Sequence, residues 1–315
     1  MAYLLLILGL IILIGGANAL VVGASSLAKK FRVSNLVIGL TVVSFGTSFP
    51  ELIVNILAGT NGQADLAIGN IIGSNIINIF LVVGVSALIR PVAVQNNTVK
   101  YEIPYSVLAL LVLFVLANDT LIDGTAQASL SRSDGIMLLA FFLIFLYYTF
   151  ISSKSSTNDE GHQVKELKIW KSILLLIVGI FGLYYGGVLI VNNATIIAAN
   201  LGISQAVIGI LVVALGTSLP ELATSAVAAY KGNADMAIGN VVGSNIFNIF
   251  FVLGVSASIN PIVFNPQLNF DLLVALFASL LLFIYIFTRK GRQIDRLEAS
   301  SFLILYLAYV VWLLW

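Results

Sequence analysis

The sequence predicts an all-α membrane protein of ten transmembrane helices arranged as two inverted five-helix repeats. Three observations carry that expectation: an apolar composition, ten apolar runs of membrane-spanning length, and a gapless internal repeat. Of the 315 residues, 60% are hydrophobic and 9% charged, against roughly 45–50% apolar and 25% charged in a soluble domain. Lipid is the solvent for such a chain.

The apolar runs fall near 2–28, 33–59, 64–88, 101–118, 134–152, 170–199, 204–229, 234–258, 268–288 and 297–315. A helix of about 17–25 residues crosses the hydrocarbon core. Leu4-Leu5-Leu6-Ile7-Leu8 and Leu280-Leu281-Leu282-Phe283-Ile284 are apolar on every face, whereas a strand of a membrane barrel alternates apolar and polar residues. The runs therefore predict helices. Ala17-Asn18-Ala19 resembles a signal-peptide cleavage site, but no basic region precedes it and the apolar stretch continues to Ala28. That run is expected to stay as the first helix.

Basic residues set the orientation, because lysine and arginine are retained on the cytoplasmic side. With the N-terminus outside, 14 of the 15 fall on inner loops and Arg132 alone lies outside. Both termini are therefore expected outside. The net charge of +1 offers no basic surface for nucleic acid, and without cysteine there is neither a disulfide framework nor a thiolate metal site.

The segment from Val37 to Ala87 matches that from Val207 to Ala257 at a constant offset of 170, with 31 of 51 pairs identical. An odd number of crossings per unit turns the second copy upside down. Residues 1–152 then form the first five-helix repeat, 153–169 a cytoplasmic linker and 170–315 the inverted second repeat. Transporters built this way bind substrate near the midplane, where the copies meet. Broken helices 2, 3, 7 and 8 are expected to surround that point.

An ionised carboxylate inside a membrane helix costs at least about 2.5–3.5 kcal/mol and marks a functional site by default. Glu51 and Glu221 sit mid-span at equivalent repeat positions, and no lysine or arginine lies within any span to pair with them. A metal cation is the partner this leaves. Each glutamate follows Gly-Thr-Ser-x-Pro, where proline withholds a backbone donor and frees carbonyls upstream. Thr47, Ser48, Thr217 and Ser218 add hydroxyl oxygens. In the third and eighth helices Ser74 and Asn78, and Ser244 and Asn248, are four apart and share a helix face. Asn70, Asn75, Asn240 and Asn245 are candidates for this site or for packing between helices. Asp65 and Asp235 read as helix caps. His162 falls in the linker, so the cluster is all oxygen, which suits calcium and disfavours zinc or copper.

Gly-Thr-Ser-x-Pro-Glu with Gly-Ser-Asn-Ile-x-Asn, both duplicated, resembles the two alpha-repeats of the sodium/calcium exchangers in the calcium/cation antiporter superfamily. The resemblance implies a secondary active antiporter rather than an enzyme, needing no cofactor, with Na+ and Ca2+ as substrates; the compact linker and the absence of a targeting segment point to a prokaryotic plasma membrane. It assigns the calcium site to Glu51, Glu221, Thr47 and Thr217, and the sodium sites to Ser48, Ser74, Asn78, Ser218, Ser244 and Asn248. Carbonyls near Ser44 and Ala214 would contribute. Proton-coupled relatives tend to read Gly-Asn-x-x-Glu, and potassium-dependent ones carry aspartate where this chain has Asn248. Sodium coupling without potassium is the implied mode. A calcium/proton antiporter and a glutamate-lined cation channel are the rival readings. The glycine pairs Gly15-Gly16 and Gly186-Gly187 are expected to let helices 1 and 6 slide against the remaining core.

Overall fold

The computed structural model describes residues 1–122, 124, 127–155, 166–201, 214–288 and 292–314, and its long elements are all helices. In chain order they are α1 (Ala2–Phe31), α2 (Asn35–Thr47), α3 (Phe49–Thr60), α4 (Ala64–Ile89), α5 (Thr98–Leu116) and α6 (Arg132–Ser155). The second half has α7 (Ile169–Asn200), α8 (Ala214–Thr217), α9 (Leu219–Tyr230), α10 (Ala234–Ile259), α11 (Pro266–Thr288) and α12 (Arg296–Leu313). Among the described residues eight helices are long and apolar enough to cross a membrane, and α2 with α3, bent by 46°, makes a ninth. The seventh apolar run, 204–229, begins outside the described residues, and α8 and α9 are its remainder. Most of the expected linker, including His162, also lies outside them.

The breaks expected in helices 3 and 8 are absent. Each is one continuous helix, α4 or α10, whose ladder widens into π turns over Asn78–Val83 and Phe247–Leu253. Neither segment contains proline, so every residue keeps its N–H, and a π turn absorbs an extra residue without opening the helix. These two helices form the interior, with 78% and 89% of their apolar windows buried against 22–39% for the other six single spans. The outer helices turn residues such as Leu4, Ile7, Ile11, Ile144 and Phe181 outward, the surface a lipid-facing helix requires.

Contacts between the halves come in matched pairs. Strand β1 (Val92–Ala93) pairs with β4 (Gln293–Ile294), and β2 (Ser129–Leu130) with β3 (Ile262–Val263), both antiparallel. Gln95 Nε2 donates to Asp235 at 2.7 Å, and its repeat mate Asn265 donates to Asp65 at 3.3 Å. Asp65 and Asp235 are thus not the caps: Gln63 and Asn233 hold those positions, and the aspartates stand inside the first turn facing loops of the other half. Tyr148 donates to Glu102 at 2.6 Å and Tyr309 to Asp271 at 2.7 Å, clamping α5 to α6 and α11 to α12. The turns into α4 and α10 place Gly62 and Gly232 at φ 72° and 80°, where a Cβ is disfavoured.

The antiparallel α1 and α7 pack through their glycines. A Cβ on Gly16 would lie 2.7 Å from the Leu183 nitrogen, one on Gly179 2.7 Å from the Leu20 nitrogen, and one on Gly186 2.6 Å from the Leu13 nitrogen. The atoms nearest a Cβ on Gly16 or Gly186 thus all belong to the facing helix of this pair. Gly15 has nothing within 4 Å, and Gly187 alone of the four approaches the core, 3.9 Å from the Gly216 carbonyl. Repulsion at this seam is testable: Gly179→Ala and Gly186→Ala should each lower stability by about 1–3 kcal/mol, seen as an earlier thermal transition in detergent. Gly15→Ala should hold or raise it, since alanine is the better helix former by about 1 kcal/mol. Identical melting of all three would mean that the helices are not in backbone contact.

Candidate functional site

Ser48 leaves the helical conformation at φ −85°, ψ 7°, and Ser218 does so at φ −88°, ψ 3°. Proline follows two residues later in both, so Pro50 and Pro220 offer no N–H to the carbonyls of Gly46 and Gly216. The new helices α3 and α9 begin at once, with Glu51 and Glu221 in their first turns, where the positive end of the helix dipole favours a carboxylate. Thus the motif both ends one helix and aims the next at the acid.

The two carboxylates, 0% and 1% exposed, lie close enough to interact electrostatically. Thr217 stands beside Glu51, and Ser48, Thr47 and Ser244 surround Glu221. Among the described residues no basic side chain contributes to either environment. Ser48 donates to Glu221 Oε1 at 3.0 Å and Ser244 to the same oxygen at 3.4 Å, so a hydroxyl of the first half serves an acid of the second. Among the described residues Glu221 Oε2 and both oxygens of Glu51 have no hydrogen-bond partner.

Around the acids the halves are laced by polar bonds related by the repeat. Thr47 donates to Asn240 Oδ1 at 3.1 Å, and Thr217 to Asn70 Oδ1 at 3.2 Å. Asn78 Nδ2 donates to Asn245 at 3.0 Å, and Asn248 Nδ2 to Asn75 at 3.2 Å. Ser218 donates to Ser74 at 3.2 Å. Each bond joins residues from different halves. With their amide hydrogens so engaged, Asn78 and Asn248 present their Oδ1 atoms without a donor. Three carboxylate oxygens and two amide oxygens are therefore buried acceptors lacking hydrogens, an arrangement that a hard cation satisfies.

Ser44 plays a different part. Its carbonyl accepts from Ser48 N at 2.9 Å and Thr47 Oγ1 at 3.3 Å, while its hydroxyl donates to Gly39 O at 2.7 Å and Asn240 O at 3.0 Å, fastening α2 to α10. Close approach permits this, since a Cβ on Gly243 would lie 2.8 Å from the Leu40 carbonyl. Ala214 opens α8 at the edge of the described residues. A cavity of about 200 Å³ reaches the site between α3, α7, α8 and α9, walled by Pro50, Ile53, Leu183, Gly187, Thr217 and Pro220.

Two functions were hidden in the sequence. Asn70 and Asn240 read there as candidates for the site or for packing, and each accepts a site threonine hydroxyl at its amide oxygen. Asn55 and Ser225, four residues after the glutamates, could have been found by helix spacing alone. The amide bonds are testable without any ion: Asn75→Leu orphans Asn248 Nδ2, Asn245→Leu orphans Asn78 Nδ2, and each should cost about 1–3 kcal/mol in a denaturation midpoint. Unchanged midpoints would mean that these bonds do not hold the halves together.

A family model described as sodium/calcium exchanger protein matches residues 1–151 and 171–315. The inner membrane protein YrbG of Escherichia coli is 38% identical over 99% of this chain and 98% of its own length. The sodium/calcium exchanger MaX1 of Methanosarcina acetivorans is 34% identical over 98% of this chain and 97% of its own. Among solved structures, the sodium-calcium exchanger NCX_Mj soaked with Na+ and Sr2+ superposes with a TM-score of 0.83 at 35% identity, covering 98% of this chain and 97% of that one.

Proposed function

The chain belongs to the sodium/calcium exchanger family as a prokaryotic member, and on that premise we propose that it moves several Na+ against one Ca2+ by alternating access, electrogenically and without K+. The observation that carries this reading is the meeting of Glu51 and Glu221, one from each half, in a buried site whose unpartnered atoms are mostly oxygens. One calcium ion balances both negative charges. Glu51, Glu221, Thr47 and Thr217 are its ligands, and Ser48, Ser74, Asn78, Ser218, Ser244 and Asn248 complete flanking sodium sites with carbonyls near Ser44 and Ala214. Three or more sodium ions overshoot the same two charges, so each cycle carries net charge.

The fold that goes with this reading has ten crossings in two inverted repeats, the first half of the seventh being residues outside those described. Both termini face the outside of the plasma membrane, in keeping with the 14 basic residues assigned to the inner side. Because α1 and α7 meet backbone to backbone, they move as one body, and Gly187 beside Gly216 is where that body slides over the site.

Vesicles loaded with Na+ and diluted into Na+-free medium should accumulate calcium, and replacing K+ with choline should not change the rate. An inside-positive potential should accelerate uptake, since each net charge gains about 2.3 kcal/mol per 100 mV. Glu51→Gln and Glu221→Gln should each lower uptake roughly 100-fold or more, the scale of unbalancing a buried charge pair. Uptake driven by a pH gradient without sodium would replace this reading with calcium/proton antiport, and flux needing no counter-gradient would make the protein a channel.

A further inference from the structure

Behind the two glutamates the halves of the site differ at a repeat position, Asn55 against Ser225. Behind Glu221, Asn240 Nδ2 donates to Ser225 Oγ at 2.9 Å, and Ser225 passes its own hydrogen to the Ala237 carbonyl at 3.3 Å. With Thr47 donating to Asn240 Oδ1, hydroxyl, amide and hydroxyl form a closed relay. Behind Glu51 the matching positions are Asn70 and Asn55. Thr217 donates to Asn70 Oδ1 as Thr47 does to Asn240, but there the relay stops. Among the described residues Asn70 Nδ2, Asn55 Nδ2 and Asn55 Oδ1 are all buried without a partner, and Asn55 is 0% exposed.

Asn55 lies one turn beyond Glu51 on the same face of α3. Both Glu51 oxygens are also unpartnered, whereas Glu221 receives Ser48 and Ser244. The repeat sets Asn55 opposite Asn70 as Ser225 is opposite Asn240, so a group that completes the relay accepts from the two amide nitrogens and donates to the carboxylate and the Asn55 oxygen. A bare cation leaves every N–H orphaned, and an anion is repelled by Glu51. Water has two hydrogens and two lone pairs, and buried waters typically make about three such bonds.

We propose that Asn55 and Asn70 hold an ordered water against Glu51, and that Asn55 is thereby a positioning residue for the first-half carboxylate. The water does for Glu51 what two serine hydroxyls do for Glu221: it fixes one carboxylate oxygen and leaves the other free for the ion. It also anchors Asn70, whose oxygen orients the Thr217 hydroxyl. This inference rests on the calcium-site reading above.

The test is the calcium KM of sodium-driven uptake, together with calcium titration calorimetry on the purified full chain. Asn55→Leu, close in size but without polar atoms, should weaken calcium binding and raise KM about tenfold, the scale of orphaning one buried polar group, while the maximal rate is kept. Asn55→Ser, offering the hydroxyl that Ser225 provides in the other half, should recover most of that loss. If Asn55→Leu does not fold, Asn55→Ala carries the same expectation. Unchanged calcium affinity in the folded variant, or a loss of maximal rate without a change in KM, overturns the proposal. Glu51→Gln separates the two levels. If it retains calcium affinity, the calcium-site reading fails; if it loses affinity while the Asn55 variants keep theirs, only the water pocket fails.

Discussion

Two carboxylates brought together in the interior of an apolar bundle, with no basic side chain beside them, impose the condition that the rest of the structure meets. Burial penalises each charge, and proximity adds repulsion between them. The protein answers with geometry. Each acid sits in the first turn of a helix restarted by a proline, so a positive helix end faces it. Around them Ser48 and Ser244 donate to Glu221, and the amides of Asn78 and Asn248 donate to Asn245 and Asn75, which leaves the oxygens of Asn78 and Asn248 without a donor among the described residues. What remains is a negatively charged, oxygen-lined space that only cations or protons can relieve.

The same condition explains why the halves are laced rather than merely apposed. Thr47 with Asn240, Thr217 with Asn70, Asn78 with Asn245 and Asn248 with Asn75 all cross the boundary. Neither half has a finished site, because each borrows hydroxyls and amides from the other. A gapless duplication makes this economical, since each of these four bonds has a counterpart related by the repeat. The departures from symmetry are then informative, and Asn55 against Ser225 is the clearest of them.

Much of this was legible in the sequence. Composition and run length gave the helices, and the offset of 170 paired the two motifs before any coordinates. The proline after Ser48 foretold a bend in the second helix, and α2 and α3 do meet at 46°. Other features were not legible, for physical reasons. A glycine-rich helix without proline can widen into a π turn or open, and packing decides which, as α4 and α10 illustrate. Gly15 and Gly16 are neighbours in sequence but point to different surroundings, because successive residues on a helix are about 100° apart. The two-residue strands carry no pattern at all. They exist because loops from opposite halves arrive side by side, a fact that only the assembled bundle contains.

Those strands reach unusually far along the chain. Val92 pairs with Ile294 and Ala93 with Gln293, so the loop after the third span waits for residues translated about 200 positions later. Until then the first half rests in the bilayer with its acid and amides lacking their counterparts from the second. Biosynthesis of this protein therefore includes an interval in which a half-built polar surface faces lipid or the insertion machinery, and closure of a ribbon two residues wide coincides with its end.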